Sequence, residues 1–121
     1  MKEYLIISTS VDLVRASADE VVYISADGNY SSIVFLGGET RIVTQQLGQL
    51  EQAISKQLPA SGRNFIRIGK SLIINRTYIS YIHPSRQQLE LSDGRTASYG
   101  LTASREALKQ LKELIEKEAE Q

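Results

Sequence analysis

Apolar and polar residues alternate over most of this chain, and the alternation predicts a succession of short strands. Tyr4 to Ile7 reads as the first, with Leu13 to Ala16 as its hairpin partner across the turn Ser10-Val11-Asp12. Val21-Val22-Tyr23-Ile24 is β-branched and aromatic, which suits a buried strand. Asp27-Gly28-Asn29 marks a turn, because glycine and asparagine accept positive φ at little cost, and Tyr30 to Leu36 returns. Gly37-Gly38 turns the chain again into Arg41 to Thr44. There the period changes. Leu47, Leu50, Ile54 and Leu58 recur at three- and four-residue spacing, which predicts a helix ended by Pro59. Phe65 to Ile68 alternates and reads as a strand. Leu72-Ile73-Ile74 fits either a strand or one turn of helix, and periodicity does not choose between them. Tyr78 to Ile82 reads as a strand closed by Pro84. Leu89 to Leu91, Asp93-Gly94 and Arg95 to Tyr99 form the clearest hairpin. A helix over about 104–118 closes the chain, with Ser104 as N-cap, Glu106 in the first turn and an apolar stripe of Leu108, Leu111, Leu114 and Ile115. The fold class read from this pattern is mainly β with two helices, in a single domain spanning residues 1–121.

Composition narrows the chemistry. A chain of 121 residues supports one domain with its own core. It contains no cysteine, which removes disulfides, thiol catalysis and thiolate metal sites and fits a reducing cytoplasm. His83 is the only histidine, so a multi-histidine metal site is excluded. The expectation is a cytoplasmic, non-enzymatic protein without cofactor, metal or membrane span. No acid–base pair or activated nucleophile is legible, and no apolar run approaches the length of a membrane helix. Its N-terminus runs straight into strand pattern, which reads as a stand-alone module without a secretion signal.

Formal charge balances at zero, with 14 basic and 14 acidic residues, so only the distribution of charge is informative. Between Glu51 and Glu90 there is no acidic residue, while Lys56, Arg63, Arg67, Lys70, Arg76 and Arg86 fall in that stretch. If those side chains converge they form a phosphate-binding surface. If they scatter they merely solvate it.

Two segments carry a resemblance. Phe65-Ile66-Arg67-Ile68-Gly69-Lys70-Ser71-Leu72-Ile73-Ile74-Asn75 resembles the F-x-R-x-H-R-S-x-I-V-N signature of the LytTR DNA-binding domain. Val21 to Ser31 resembles that family's I-x-Y-I-E-A-x-G-N-Y-x segment, and the helix and hairpins fall in the same order around them. The resemblance implies an elongated LytTR-like stack of small β-sheets whose loops contact duplex DNA, and hence a bacterial transcription regulator. Carried over by position, the implied DNA contacts are Asn29 and Tyr30, then Arg67, Lys70 and Ser71, then Ser104 and Arg105. Asn75 matches too, and reads as structural, since such an asparagine usually satisfies backbone groups.

The sequence departs from the family pattern at three positions. Gly69 stands for the histidine and Lys70 for the arginine after it; an ammonium cannot form the arginine's bidentate fork. Glu106 places a carboxylate where a second arginine is common. These departures keep open an alternative: a LytTR-shaped protein-interaction or ligand-sensing module that no longer binds DNA. A single-strand binder stacking bases on Tyr23, Tyr30, Tyr78, Tyr81 and Tyr99 is a further option, although strand tyrosines generally pack, and all but Tyr30 are expected to do so. Gly69-Lys70-Ser71 is no P-loop, because Asn64 occupies the required glycine position. Asn75-Arg76-Thr77 matches a glycosylation sequon by coincidence, and His83 before Pro84 suits a surface or capping role. The stripe on the last helix suits its own sheet, or a homodimer through the C-terminal helix.

Overall fold

The first two strands pair as the alternation implies. β1 (Tyr4–Ser8) runs antiparallel to β2 (Leu13–Ser17), and Ile6 lies opposite Arg15. Thr9 tightens the turn between them: its hydroxyl donates to Asp12 Oδ1 at 2.8 Å and accepts from the backbone of Val11 and Asp12. The computed structural model describes residues 2–95 and 97–120. The chain divides into two compact units, Met1–Thr77 and Tyr78–Gln121.

A five-stranded antiparallel sheet dominates the first unit. Its strands are β3 (Val21–Asp27), β4 (Tyr30–Phe35), β5 (Thr40–Val43), β6 (Phe65–Ile68) and β7 (Leu72–Asn75), in the order β5-β4-β3-β7-β6. A register shift between Val21 and Tyr23 lets both Val21 and Val22 be buried. Helix α1 (Leu47–Gln57) connects β5 to β6 and buries Leu47, Leu50 and Ile54. These pack with Leu5 and Ile7 of the hairpin and with Ile24, Ile33 and Ile73 of one sheet face. Each such side chain removed from water contributes roughly 1.5–3 kcal/mol. The ambiguous run Leu72-Ile73-Ile74 is β7, an interior strand whose residues are all buried. A strand buried on both faces loses its alternation, which is why periodicity could not identify it.

Two side chains fasten the hairpin to the rest of this unit. Gln57 accepts from the Ile6 N–H at 2.7 Å and donates to the Ile6 carbonyl at 3.0 Å, closing the open edge of β1. The Glu3 carboxylate accepts from the hydroxyl and the backbone N–H of Ser61 and from the N–H of Ala60. Those bonds, the Ser61 hydroxyl first, hold the Glu3 carboxyl below the usual carboxylate range. A lowered carboxyl pKa lends stability at neutral pH that is lost as the pH falls through it. Glu3→Gln should therefore be less stable than wild type at pH 7, with the gap closing on acidification. Urea unfolding at several pH values checks this; parallel pH profiles would count against it.

In the second unit a meander of β8 (Ile79–His83), β9 (Gln88–Ser92) and β10 (Ser98–Thr102) has the order β10-β9-β8. Helix α2 (Arg105–Ala119) packs against β8 and the turn Pro84–Arg86. Leu108 and Leu111 are buried, Ile115 is half-buried and Leu114 is exposed, so the N-terminal half of the stripe packs within the unit and the C-terminal half stays partly open. Several boundaries differ from expectation. Tyr78 belongs to a 3-10 turn at Arg76–Tyr78, not to β8. The returning limb of the last hairpin pairs only from Ser98, because Asp93 Oδ1 accepts from the N–H groups of Arg95 and Ala97 and holds that stretch as a loop. Thr96, within the expected strand, lies outside the described residues.

Candidate functional site

Sheet register brings two of the expected segments together. β3 and β7 run antiparallel with Ser25 opposite Leu72, so the end of β3 meets the start of β7. The Ala26 N–H donates to the Ser71 carbonyl at 2.8 Å and joins the β6–β7 turn to the β3–β4 hairpin. Asn29, Tyr30, Lys70 and Ser71 thus sit at one end of one sheet, and all four are exposed. Gly69 adopts φ +58 in the β6–β7 turn, with no atom within 4 Å of a Cβ built there. The left-handed backbone, not crowding, is what favours glycine at this position.

The start of α1 joins this end of the sheet. Val43 pairs with Ser31, and the Ser31 hydroxyl donates to the Gln45 carbonyl at 2.7 Å. Gln46 caps the helix and donates from its side chain to Asn29 Oδ1 at 3.3 Å. The Asn29 amide donors have no partner among the described residues, and neither does the Lys70 ammonium. Both are available to an external acceptor. Gln46 was not singled out in the sequence, since only strand register shows that the β5–α1 connection passes beside Asn29.

Arg67 behaves differently from its neighbours. Its Nη1 lies 3.1 Å from Glu51 Oε1 on α1, and its Nε donates to the Gly69 carbonyl at 3.0 Å. The Nε and Nη1 groups are thus engaged within the protein, while Nη2 makes no bond among the described residues. Arg67 braces the turn that presents Lys70. An arginine fork makes both bonds at once, and a lysine can replace at most one. Arg67→Lys should keep the fold and shift the Gly69 and Lys70 amide resonances in a heteronuclear NMR spectrum, while Glu51→Gln produces a smaller shift in the same residues. Unmoved resonances would show that the brace has no structural effect.

The basic stretch does not converge. Within the first unit Lys70 and Arg67 lie toward the end of β6 that meets β7 at Leu72, whereas Arg63 and Arg76 flank the opposite end, where Phe65 pairs with Asn75. Arg76 Nη2 donates to the Arg63 carbonyl at 2.6 Å. Lys56 falls in the last turn of α1. The end that carries Lys70 also carries Asp27, so it is a polar, hydrogen-bonding surface with little net charge.

The second unit gathers Arg86, Gln87, Ser104 and Arg105. Gln87 has φ +57, and its carbonyl accepts from the Ala103 N–H at 3.3 Å, which joins the β8–β9 turn to the start of α2. His83 caps that turn, its Nδ1 accepting from the Arg86 N–H at 3.3 Å, so the capping role read from the sequence holds. Ser104 Oγ accepts from the Ala107 N–H at 3.1 Å, and its hydroxyl hydrogen remains available to an acceptor. Arg86 and Arg105 are exposed and unpaired among the described residues. The sequence held Arg86 in the basic stretch without linking it to Arg105.

Tyrosine placement corrects one expectation. Tyr23, Tyr78 and Tyr99 are half-buried, but Tyr81 is 42% exposed and Tyr30 52% exposed. The Tyr81 ring lies tilted by 51° to that of His83, with centroids 6.1 Å apart, and otherwise faces outward on β8.

A family model described as the LytTr DNA-binding domain matches residues 12–116 of this sequence. The chain belongs to the LytTR family. No curated protein matches it. Among solved structures it is similar to one described as the LytTr DNA-binding domain of a methyl-accepting/DNA response regulator from Bacillus cereus. Identity is 19%, with 95% of this chain and 98% of that one covered at a TM-score of 0.63. That likeness establishes a LytTR fold: mostly β, with two α-helices and three small antiparallel sheets among the described residues. No helix among the described residues is long and apolar enough to cross a membrane.

Proposed function

We propose that this LytTR domain is a cytoplasmic, non-catalytic transcription regulator that binds double-stranded DNA, with residues 1–121 acting as one module. The observation that carries this reading is the gathering of uncommitted donors at two loop clusters. In the first unit these are the amide of Asn29, the hydroxyls of Tyr30 and Ser71 and the ammonium of Lys70. In the second they are the Ser104 hydroxyl and the guanidinium of Arg105, with Arg86 beside them. Backbone contacts of this kind set register on a duplex, and a base-edge contact from Lys70 or Arg105 supplies preference. Arg67 braces this surface through Glu51 and the Gly69 carbonyl, which makes it a weaker candidate than Lys70 among the direct contacts expected from the resemblance.

The few unpaired cations at the loop clusters reduce the electrostatic share of binding. Each neutralised phosphate contributes a salt slope of about −0.9. Three contacts from Lys70, Arg86 and Arg105 would give roughly −3, well below that of a protein carrying a continuous basic face. Selection of bound duplexes from a random pool at moderate salt, followed by fluorescence anisotropy on an enriched sequence, tests the proposal. Enrichment of a common sequence and tighter binding to duplex than to either single strand support it. The same polar, nearly neutral surface suits a protein-interaction or ligand-sensing module that has lost DNA. A pool that returns no enrichment, with no duplex binding at low salt, selects that second reading.

A further inference from the structure

A groove of about 440 Å³ opens in the first unit between α1 and the edge strand β6. Ile54, Leu58 and Ile73 form its floor, each 5% exposed or less, and Phe65 lines it half-buried. Glu51 and Ser55 stand four apart on α1 and line the helical wall. Arg63 and Arg67 lie two residues to either side of Phe65 and complete the opposite wall. The volume falls in the range of small-molecule sites, roughly 300–1,000 Å³, with Glu51, Ser55, Arg63 and Arg67 forming polar walls over a nearly closed apolar floor.

Charge in the groove is unequal at its two ends. At one end Glu51 neutralises Arg67 at 3.1 Å. At the other, Arg63 is exposed and its guanidinium has no partner among the described residues, while its backbone is held by the Arg76 bond to its carbonyl. One cation is therefore left uncompensated beside an apolar floor. At the far end a ligand meets a neutral ion pair, and a cationic ligand would meet the uncompensated Arg63.

We propose that this groove binds an amphipathic organic monoacid, its carboxylate on Arg63 and its aliphatic or aryl body over Ile54, Leu58 and Phe65. Arg63 supplies the charged hydrogen bond that orients the ligand, and the half-buried Phe65 ring beside the closed floor supplies the apolar contact. A body long enough to reach Arg67 touches the residue that also bonds the Gly69 carbonyl, so occupancy reaches the turn carrying Lys70 and Ser71. The site stands independently of DNA binding, and its test uses no nucleic acid.

The test is a heteronuclear NMR titration of the full chain with octanoate, below its micelle concentration, with 1-octanol and octylammonium as probes of equal length. Saturable shifts at the amides of Ser55, Gly62 and Phe65 are expected with octanoate, followed by Gly69. Octanol and the Arg63→Gln variant should bind about three- to tenfold more weakly, the range for one partly solvated charged hydrogen bond. Octylammonium should not saturate. Ser55→Trp, which obstructs the groove from the exposed helix surface, should abolish the shifts and serves as the deciding variant should Arg63→Gln unfold. Absence of saturation by octanoate, equal affinity for octanol, or an unchanged titration in a folded Arg63→Gln or Ser55→Trp protein would overturn the proposal.

Discussion

Lys70→Ala is expected to weaken duplex binding by about ten- to a hundredfold, the range for loss of one good base-edge contact, while leaving unfolding unchanged. The side chain projects from an exposed turn and makes no bond within the described residues, so its removal touches no packing. Surface substitutions of that kind usually stay within about 0.5 kcal/mol in stability. Two readouts separate the ways Lys70 can act. If it meets phosphate, the salt slope becomes shallower by about 0.9 and all sequences lose affinity alike. If it reads a base edge, preference at one position relaxes, and Lys70→Arg, which restores a bidentate fork, tightens binding to guanine there. Arg105→Ala supplies an independent loss from the second unit. Anisotropy titrations across a salt series measure both quantities. Affinity for the preferred duplex within twofold of wild type in Lys70→Ala would remove this residue from the interface.

The larger loss is expected at Lys70 rather than at Arg67, and that distinction was not legible in the sequence. Both residues sit in the same matched segment and the same acid-free stretch. What separates them is Glu51, sixteen residues upstream, which α1 carries to within 3.1 Å of the Arg67 guanidinium. A charge in a linear sequence has no direction until register and helix packing supply one. For the same reason the sequence left open whether the basic stretch forms one surface or scatters. β6 and β7 are short and antiparallel, so residues only a few positions apart, Arg63 and Lys70, fall at opposite ends of the pair.

Local rules were more informative. Asp27-Gly28-Asn29 turns as its backbone preferences require, with Gly28 at φ +63, and the two strands it joins pair from Asp27 and Tyr30 outward. The spacing of Leu47, Leu50, Ile54 and Leu58 placed α1 and its buried face. Ser104 caps α2 as an N-cap serine should. Boundaries failed where a side chain competes with strand pairing, as Asp93 does after β9, or where a 3-10 turn takes up the first residue of an apolar run, as at Tyr78. Gln46 and Arg86 became candidates only through hydrogen bonds between segments distant in sequence, which no local pattern encodes.

Asn75 is expected to show the largest effect on stability, and its two simplest replacements should differ in their dependence on pH. The residue is 3% exposed at the end of β7. Its Nδ2 donates to the Val21 carbonyl at 3.0 Å and approaches the Ala18 carbonyl at 3.5 Å, while its Oδ1 accepts from the Thr77 N–H at 3.0 Å. One amide thus satisfies backbone groups on both sides of the sheet end, at the start of β3 and after β7. Asn75→Ala removes every one of these bonds, and each buried group left unsatisfied costs about 1–3 kcal/mol. A total near 3 kcal/mol is a large share of the stability of a domain this size. Asn75→Asp keeps an acceptor for Thr77 but sets a carboxylate oxygen against the Val21 carbonyl in a buried site. Burial and that repulsion raise the folded-state carboxyl pKa above its unfolded value. The penalty is then greatest at neutral pH and falls as acid protonates the group, whose O–H can donate to Val21. Urea unfolding at pH 7 and pH 5 should rank wild type above Asn75→Ala above Asn75→Asp at the higher pH, with the deficit of the aspartate variant relative to wild type smaller at the lower. A fully stable alanine variant, or an aspartate deficit that grows on acidification, would show that the Asn75 side chain does not hold these backbone groups.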